Sequence, residues 1–160
     1  MVEWPETVER VAAFLRESGA EARIEEFEEA TATAEDAARA VGRDASEIVK
    51  SLIVLCDGRP VVALVPGDRR ADTTKIARAA GSATARVARG DEVRAITGFE
   101  PGAVAPFPLP RVERVLIERS LLAHAAVWVG GGSPRHLVTL PTPELVRLTK
   151  ARPADLVSEV

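Results

Sequence analysis

The sequence predicts an α+β fold, a single domain built around a mixed sheet. Three observations carry that prediction. Helical and strand periodicities interleave along the chain without strict strand–helix–strand alternation. Asp57-Gly58 joins two apolar runs in the manner of a hairpin. No internal repeat and no polar linker divides the 160 residues, so one core is expected. Hydrophobic residues at 46% and charged residues at 28% fit a globular chain and exclude a disordered or collagen-like one.

The elements follow in order. Val8, Val11, Ala12 and Leu15 recur at helical spacing, so a first helix is expected from Pro5 to about Gly19. A polar strand is expected through Ala22, Ile24 and Phe27. Thr33-Ala-Glu-Asp36 reads as a capping box opening an Ala-rich helix that stops at Gly42. Asp44 and Glu47 repeat that logic for one short turn. Ile48 to Cys56 and Pro60 to Val65 form the two arms of the hairpin. Asp72 is expected to cap a helix through Ile76 and Ala80, and Asp91 another ending at Gly98. Four prolines between Phe99 and Pro110 forbid a regular helix or central strand, yet the stretch is apolar, so a stiff, packed loop is expected. Strands are expected at Val112–Glu118, Ala125–Val129 and His136–Leu140, with Gly130 to Pro134 breaking the last two apart. Thr142-Pro143-Glu144 opens a final helix.

Composition excludes several function classes. Lys and Arg total 21 against 24 Asp and Glu, a net charge of −3, which argues against clamping long nucleic acid such as DNA. A small basic patch remains open, with Lys50, Arg69, Arg70 and Lys75 as its members. Cys56 stands alone, so neither an intrachain disulfide nor a cysteine-rich zinc site is available. His124 and His136 lie twelve apart with no third ligand in pattern, so no metal is expected. No apolar run approaches the ~18 residues of a membrane helix, and the first six residues lack the features of a signal peptide. A cytoplasmic protein without cofactors is expected.

Three local features could carry chemistry. Lys50 heads an otherwise apolar strand, which leaves open whether its ammonium reaches a sheet edge or points into a pocket that holds a phosphate. In the proline-rich loop, Gly102 to Pro106 could display backbone amides to a carbonyl oxygen, or simply pack as a crossover. Gly132-Ser-Pro-Arg-His136 offers small residues for close approach, with Ser133 and His136 as hydrogen-bonding groups. No Gly-x-Ser-x-Gly, Gly-x-Gly-x-x-Gly or P-loop is present. None of the three decides alone.

Their order along the chain is more telling. Thr33 to Gly42, Ile48-Val-Lys-Ser-Leu52, Leu64-Val-Pro-Gly-Asp68, Glu92 to Phe99, Pro101-Gly-x-Val-x-Pro-Phe107 and Val127 to Pro134 together resemble the YbaK/ProX family of aminoacyl-tRNA deacylases. The resemblance runs from about residue 20 to about 155. It implies a mixed, strongly curved sheet flanked by helices. It also implies hydrolysis of the ester joining a wrongly attached amino acid to the 3′-terminal adenosine of tRNA, with water attacking under assistance from the terminal ribose. On that resemblance Lys50, Gly102 and Pro106 are the catalytic residues. Ser51, Ala103, Val104, Ala105, Gly131, Ser133 and His136 contribute to the substrate pocket. The partners implied are the acceptor end of a charged tRNA and an aminoacyl-tRNA synthetase. A silent binding module of the same fold is the alternative.

Overall fold

The computed structural model describes residues 3–159. Met1 and Val2, within the stretch read for a signal peptide, and Val160 lie outside it. Five helices and eight strands alternate in the order α1 (Glu6–Glu17), β1 (Arg23–Glu26), α2 (Ala34–Val41), β2 (Val49–Cys56), β3 (Arg59–Pro66), α3 (Thr73–Ala80), β4 (Ala85–Val87), α4 (Gly90–Thr97), β5 (Arg114–Glu118), β6 (Ala126–Ser133), β7 (His136–Pro141), α5 (Thr142–Thr149) and β8 (Arg152–Ala154). No described helix is long and apolar enough to cross a membrane.

The strands form two sheets rather than one. β4-β2-β3-β5-β8 is mixed, antiparallel through the β2–β3 hairpin and parallel from β3 to β5 and β8. β1-β7-β6 is antiparallel throughout. A parallel bridge between Ile48 and Trp128 links them, at the point where the β2 segment enters its sheet. One face of the five-stranded sheet presents Val49, Ile53, Leu64 and Ile117 to Val127, Val129, Val138 and Leu140 of the other sheet. Val11 and Leu15 of α1 close that core together with Phe99 and Phe107 of the proline-rich loop. Phe107 stacks on Phe14 at 5.3 Å, so the stiff loop is packed as expected. The opposite face packs Val54, Ala63, Val65 and Leu116 against Ile76 of α3 and the C-terminal Leu156 and Val157.

Helix termini follow the sequence in most places. Asp72 accepts hydrogen bonds from the Thr74 and Lys75 amides at 2.9 and 3.1 Å. Asp72→Ala is therefore expected to cost about 1 kcal/mol, read as a lower urea midpoint with an unchanged slope. The Asp44–Glu47 box forms as expected. At α2 only half of the expected box forms. Thr33 accepts from the Asp36 amide at 3.0 Å, whereas the Asp36 carboxylate turns to Arg39. At α4 the cap is displaced by two residues: Arg89, not Asp91, precedes the helix, because the Glu92 carboxylate accepts the Arg89 amide at 2.8 Å.

The triple glycine was expected to interrupt the sheet, and it does not. β6 runs through Gly130 to Ser133, with a bulge between those two residues against β7. Here the glycines mark close backbone approach rather than a break. A Cβ on Gly130 would stand 2.2 Å from the Val104 carbonyl oxygen, and one on Gly132, at φ +101°, 2.8 Å from that of Thr7. The short edge strands β4 and β8 carry no periodic signal of their own.

Candidate functional site

Between the two sheets, at the start of β2, lies a hollow of about 190 Å³. Its walls come from the Thr31–Thr33 approach to α2, the Ile48–Leu52 end of β2, Gly102 and Val104 of the loop, and Gly130, Ser133, His136 and Leu137 of the β6–β7 hairpin. Elements distant in sequence are locked together around it. Thr31 donates from both its amide and its hydroxyl to the Pro134 carbonyl, tying the α2 approach to the hairpin turn. Phe27 and Arg135 exchange bonds of 2.8 Å, the Phe27 amide to the Arg135 carbonyl and Arg135 Nε to the Phe27 carbonyl. Arg135 is thereby spent on β1, and His136 is the residue of that pair that lines the hollow.

The polar groups are few and well defined. Lys50 Nζ donates to the Arg69 carbonyl at 2.9 Å. Ser51 Oγ is buried and has no hydrogen-bond partner among the described residues. Unpaired buried hydroxyls are uncommon in native proteins, so this one is poised for something the chain does not itself supply. The Val104 amide likewise donates to no described group, whereas the Ala103 amide is occupied by the Glu100 carbonyl at 2.9 Å.

His136 is 3% exposed. Its Nδ1 lies 2.5 Å from Ser133 Oγ, and that oxygen accepts the Arg135 amide at 3.0 Å. Ser133 Oγ and Nδ1 share one hydrogen between them, and that contact together with the Arg135 amide holds the ring in place. Nε2 faces Glu26 Oε2 at 3.1 Å, close enough for an ion pair but too oblique for a hydrogen bond. Trp4 meets the ring edge-on at 5.4 Å. Burial pushes the imidazole below its usual value, and the Glu26 carboxylate only partly offsets this. Burial thus favours the uncharged ring.

A pH dependence follows with a definite sign. Because the folded-state value is depressed, His136 contributes stability above about pH 6.5, the unfolded value, and that contribution fades as pH falls through the lower folded value. Protonation would also leave Nδ1 able only to donate, so that the Ser133 hydroxyl would have to accept from it. Stability measured by denaturant titration is expected to decline below about pH 6.5 in the wild type. In His136→Gln that share of the slope should vanish.

The structure gathers some expected residues at the hollow and sends others elsewhere. Lys50, Ser51, Gly102, Val104, Ser133 and His136 line it. Ala103 and Ala105 do not, being buried with the core at 2% and 0% exposure. Gly102 sits in a turn at φ +82°, closed by the Ala103 amide on the Glu100 carbonyl, and after it Val104 reaches the hollow while the two alanines are buried. Pro106 lines a different hollow of about 550 Å³ with Arg10, Phe14 and Phe107. Gly131 packs on the backbone of His136, where a Cβ would meet its carbonyl at 2.8 Å. Sequence reasoning missed Thr31, Gly130 and Glu26. Only Gly130, inside the triple glycine, carried a signal that could have found it. Cys56 is buried away from the site, and burial raises its thiol out of the reactive range.

Comparison with known proteins bears on the family and the fold. Residues 28–148 match the model of the aminoacyl-tRNA editing domain. The chain belongs to that family. The editing domain is also 38% identical over 121 residues to the proline–tRNA ligase of Xanthomonas oryzae pv. oryzae, covering 71% of this chain and 22% of that enzyme. The ligase of Nitratidesulfovibrio vulgaris is 34% identical over 101 residues, 63% of this chain and 17% of the enzyme. The domain thus spans about a fifth of the curated relatives it matches. Among solved structures, one described as a candidate trans-editing enzyme for prolyl tRNA synthetase superposes with a TM-score of 0.91 at 34% identity, covering 98% of this chain and 99% of that one. A hypothetical protein, APE2540, gives 0.87 at 34% identity, covering 93% and 99%.

Proposed function

We propose that this editing domain hydrolyses the ester of a mischarged tRNA at its 3′-terminal adenosine, acting in trans on the free acceptor end or on one delivered by a synthetase. The observation that carries the reading is the unpartnered, buried Ser51 hydroxyl in one small hollow that Lys50, His136, Gly102 and Val104 also line. At about 190 Å³ the hollow is below the ~300–1,000 Å³ of sites that enclose drug-sized ligands. It suits a small aminoacyl group, with the adenosine left outside.

The chemistry needs no nucleophilic side chain. Water adds to the ester carbonyl carbon, the carbonyl oxygen gains negative charge, and the ester C–O bond then breaks. The departing ribose oxygen takes a proton, and a ribose hydroxyl beside the ester assists the water. The chain's part is to orient the carbonyl against the Gly102–Val104 backbone and to stabilise developing charge with Lys50. Ser51, Ser133 and His136 hold the polar end of the aminoacyl group. Few phosphate contacts are required, which suits a net charge of −3 and implies a shallow salt dependence.

Turnover of alanyl-, cysteinyl-, seryl- and threonyl-tRNA by catalytic amounts of protein tests this reading. One small amino acid is expected to be released fastest, since a single methylene is worth only ~1–3 kcal/mol of discrimination. Background loss across the panel, with binding of the charged end retained, would replace the enzyme by a binding module.

A further inference from the structure

The C-terminal segment after β8 lies across the loop that follows β3, and the two exchange a dense set of bonds. The Asp72 amide donates to the Leu156 carbonyl at 2.8 Å, and the Ser158 amide to the Arg70 carbonyl at 2.9 Å. Ala71 and Val157 form an antiparallel bridge. Lys75 Nζ donates to the Val157 carbonyl at 2.8 Å, and the Arg69 guanidinium to that of Ser158. Leu156 and Val157 are buried in the second core. The far end is pinned by Glu118, whose carboxylate accepts the Leu156 amide at 2.9 Å and the Ser120 amide at 2.8 Å.

This strap meets the site at one atom. The Arg69 carbonyl that receives the Lys50 ammonium belongs to the residue whose side chain is fastened to Ser158. Arg69 is absent from the walls of the hollow, so it acts on Lys50 only through its own main chain. We infer that Arg69 is a positioning residue: by tying the 156–158 strap to the loop after β3, it holds the carbonyl that fixes Lys50 at the cavity. The inference rests on the reading that Lys50 works in that cavity. It gives Arg69 a role in the fold, where charge alone left it open as a member of a small basic patch. One terminal nitrogen of the guanidinium is engaged with the strap.

The experiment has two readouts. Lys50 reactivity toward acetic anhydride, followed by mass spectrometry, reports the ammonium's tether without any substrate. Steady-state hydrolysis of a charged tRNA reports its effect on catalysis. Arg69→Ala keeps the carbonyl but removes its side-chain tie to the strap. Lys50 labelling is expected to rise about fivefold and kcat to fall about fivefold, the loss associated with one hydrogen bond. KM and the salt dependence should stay unchanged, and Arg69→Lys should restore part of kcat. Arg70→Ala, which leaves the Arg70 carbonyl in place, should behave as wild type. If Arg69→Ala fails to fold, Arg69→Met, which keeps much of the side-chain bulk and removes its donors, carries the same expectations. Unchanged labelling of Lys50 would overturn the inference. So would a raised KM with kcat retained, the mark of a phosphate contact. Should the wild type prove inactive, labelling alone still decides the strap.

Discussion

Lys50→Ala is expected to slow ester hydrolysis about 100-fold, the scale of loss when an oriented or charge-stabilising group is removed. The fold should survive. Lys50 is half-buried at the end of β2 and makes one hydrogen bond, to the Arg69 carbonyl, so its removal should cost only about 1 kcal/mol. Single-turnover rates at saturating enzyme separate the chemical step from weaker tRNA binding. A rate that falls with binding intact assigns Lys50 to charge stabilisation. A variant that regains full rate simply by raising its concentration would assign it to binding.

Gly130→Ala should damage stability and activity together. An added methyl would stand 2.2 Å from the Val104 carbonyl oxygen, and 3.0 Å from the carbon that bears it. Both are backbone atoms of the loop that walls the hollow, and a loop packed through Phe107 and Ala105 cannot yield cheaply. Overpacking of this kind costs typically ~1–3 kcal/mol. The displacement falls on Val104, which lines the hollow, so the rate should drop by about 100-fold even where the protein remains folded. Thermal melting with activity at a permissive temperature checks both parts. Loss of stability with full activity would show that the Val104 backbone does not position the substrate.

Helices and the hairpin were legible because their signals are local. The periodicity of Val8, Val11 and Leu15, the Asp72 cap and the Asp57-Gly58 turn each require only neighbours in sequence. What eluded the sequence depends on tertiary approach. Gly130 to Gly132 read as a breaker, because nothing local distinguishes a flexible glycine from one crowded by Val104, His136 and Thr7. The cap of α4 shifted to Arg89 because Glu92 serves two masters, its carboxylate also binding Arg86 at 2.8 Å. That pairing holds the Glu92 carboxyl down at about 2.

The site was legible in its residue types but not in its sidedness. Motif order brought Lys50, the loop and the glycine hairpin together. Which loop residues face inward depends on the turn at Gly102, after which Val104 reaches the hollow while Ala103 and Ala105 are buried. Glu26 and Thr31 come from a polar stretch with no motif. They are set in place only by the pairing of β1 with β7 and by the Pro134 carbonyl.

Two hollows compete for the aminoacyl end, and locating it tests the account at its centre. A non-hydrolysable aminoacyl-adenosine amide, titrated into isotopically labelled protein, reports contact residue by residue through amide chemical shifts. The account predicts perturbations concentrated at Ser51, Gly102 to Val104 and His136, around the hollow of about 190 Å³. Perturbations centred instead on Arg10, Thr97 and Phe107, around the hollow of about 550 Å³, would contradict it.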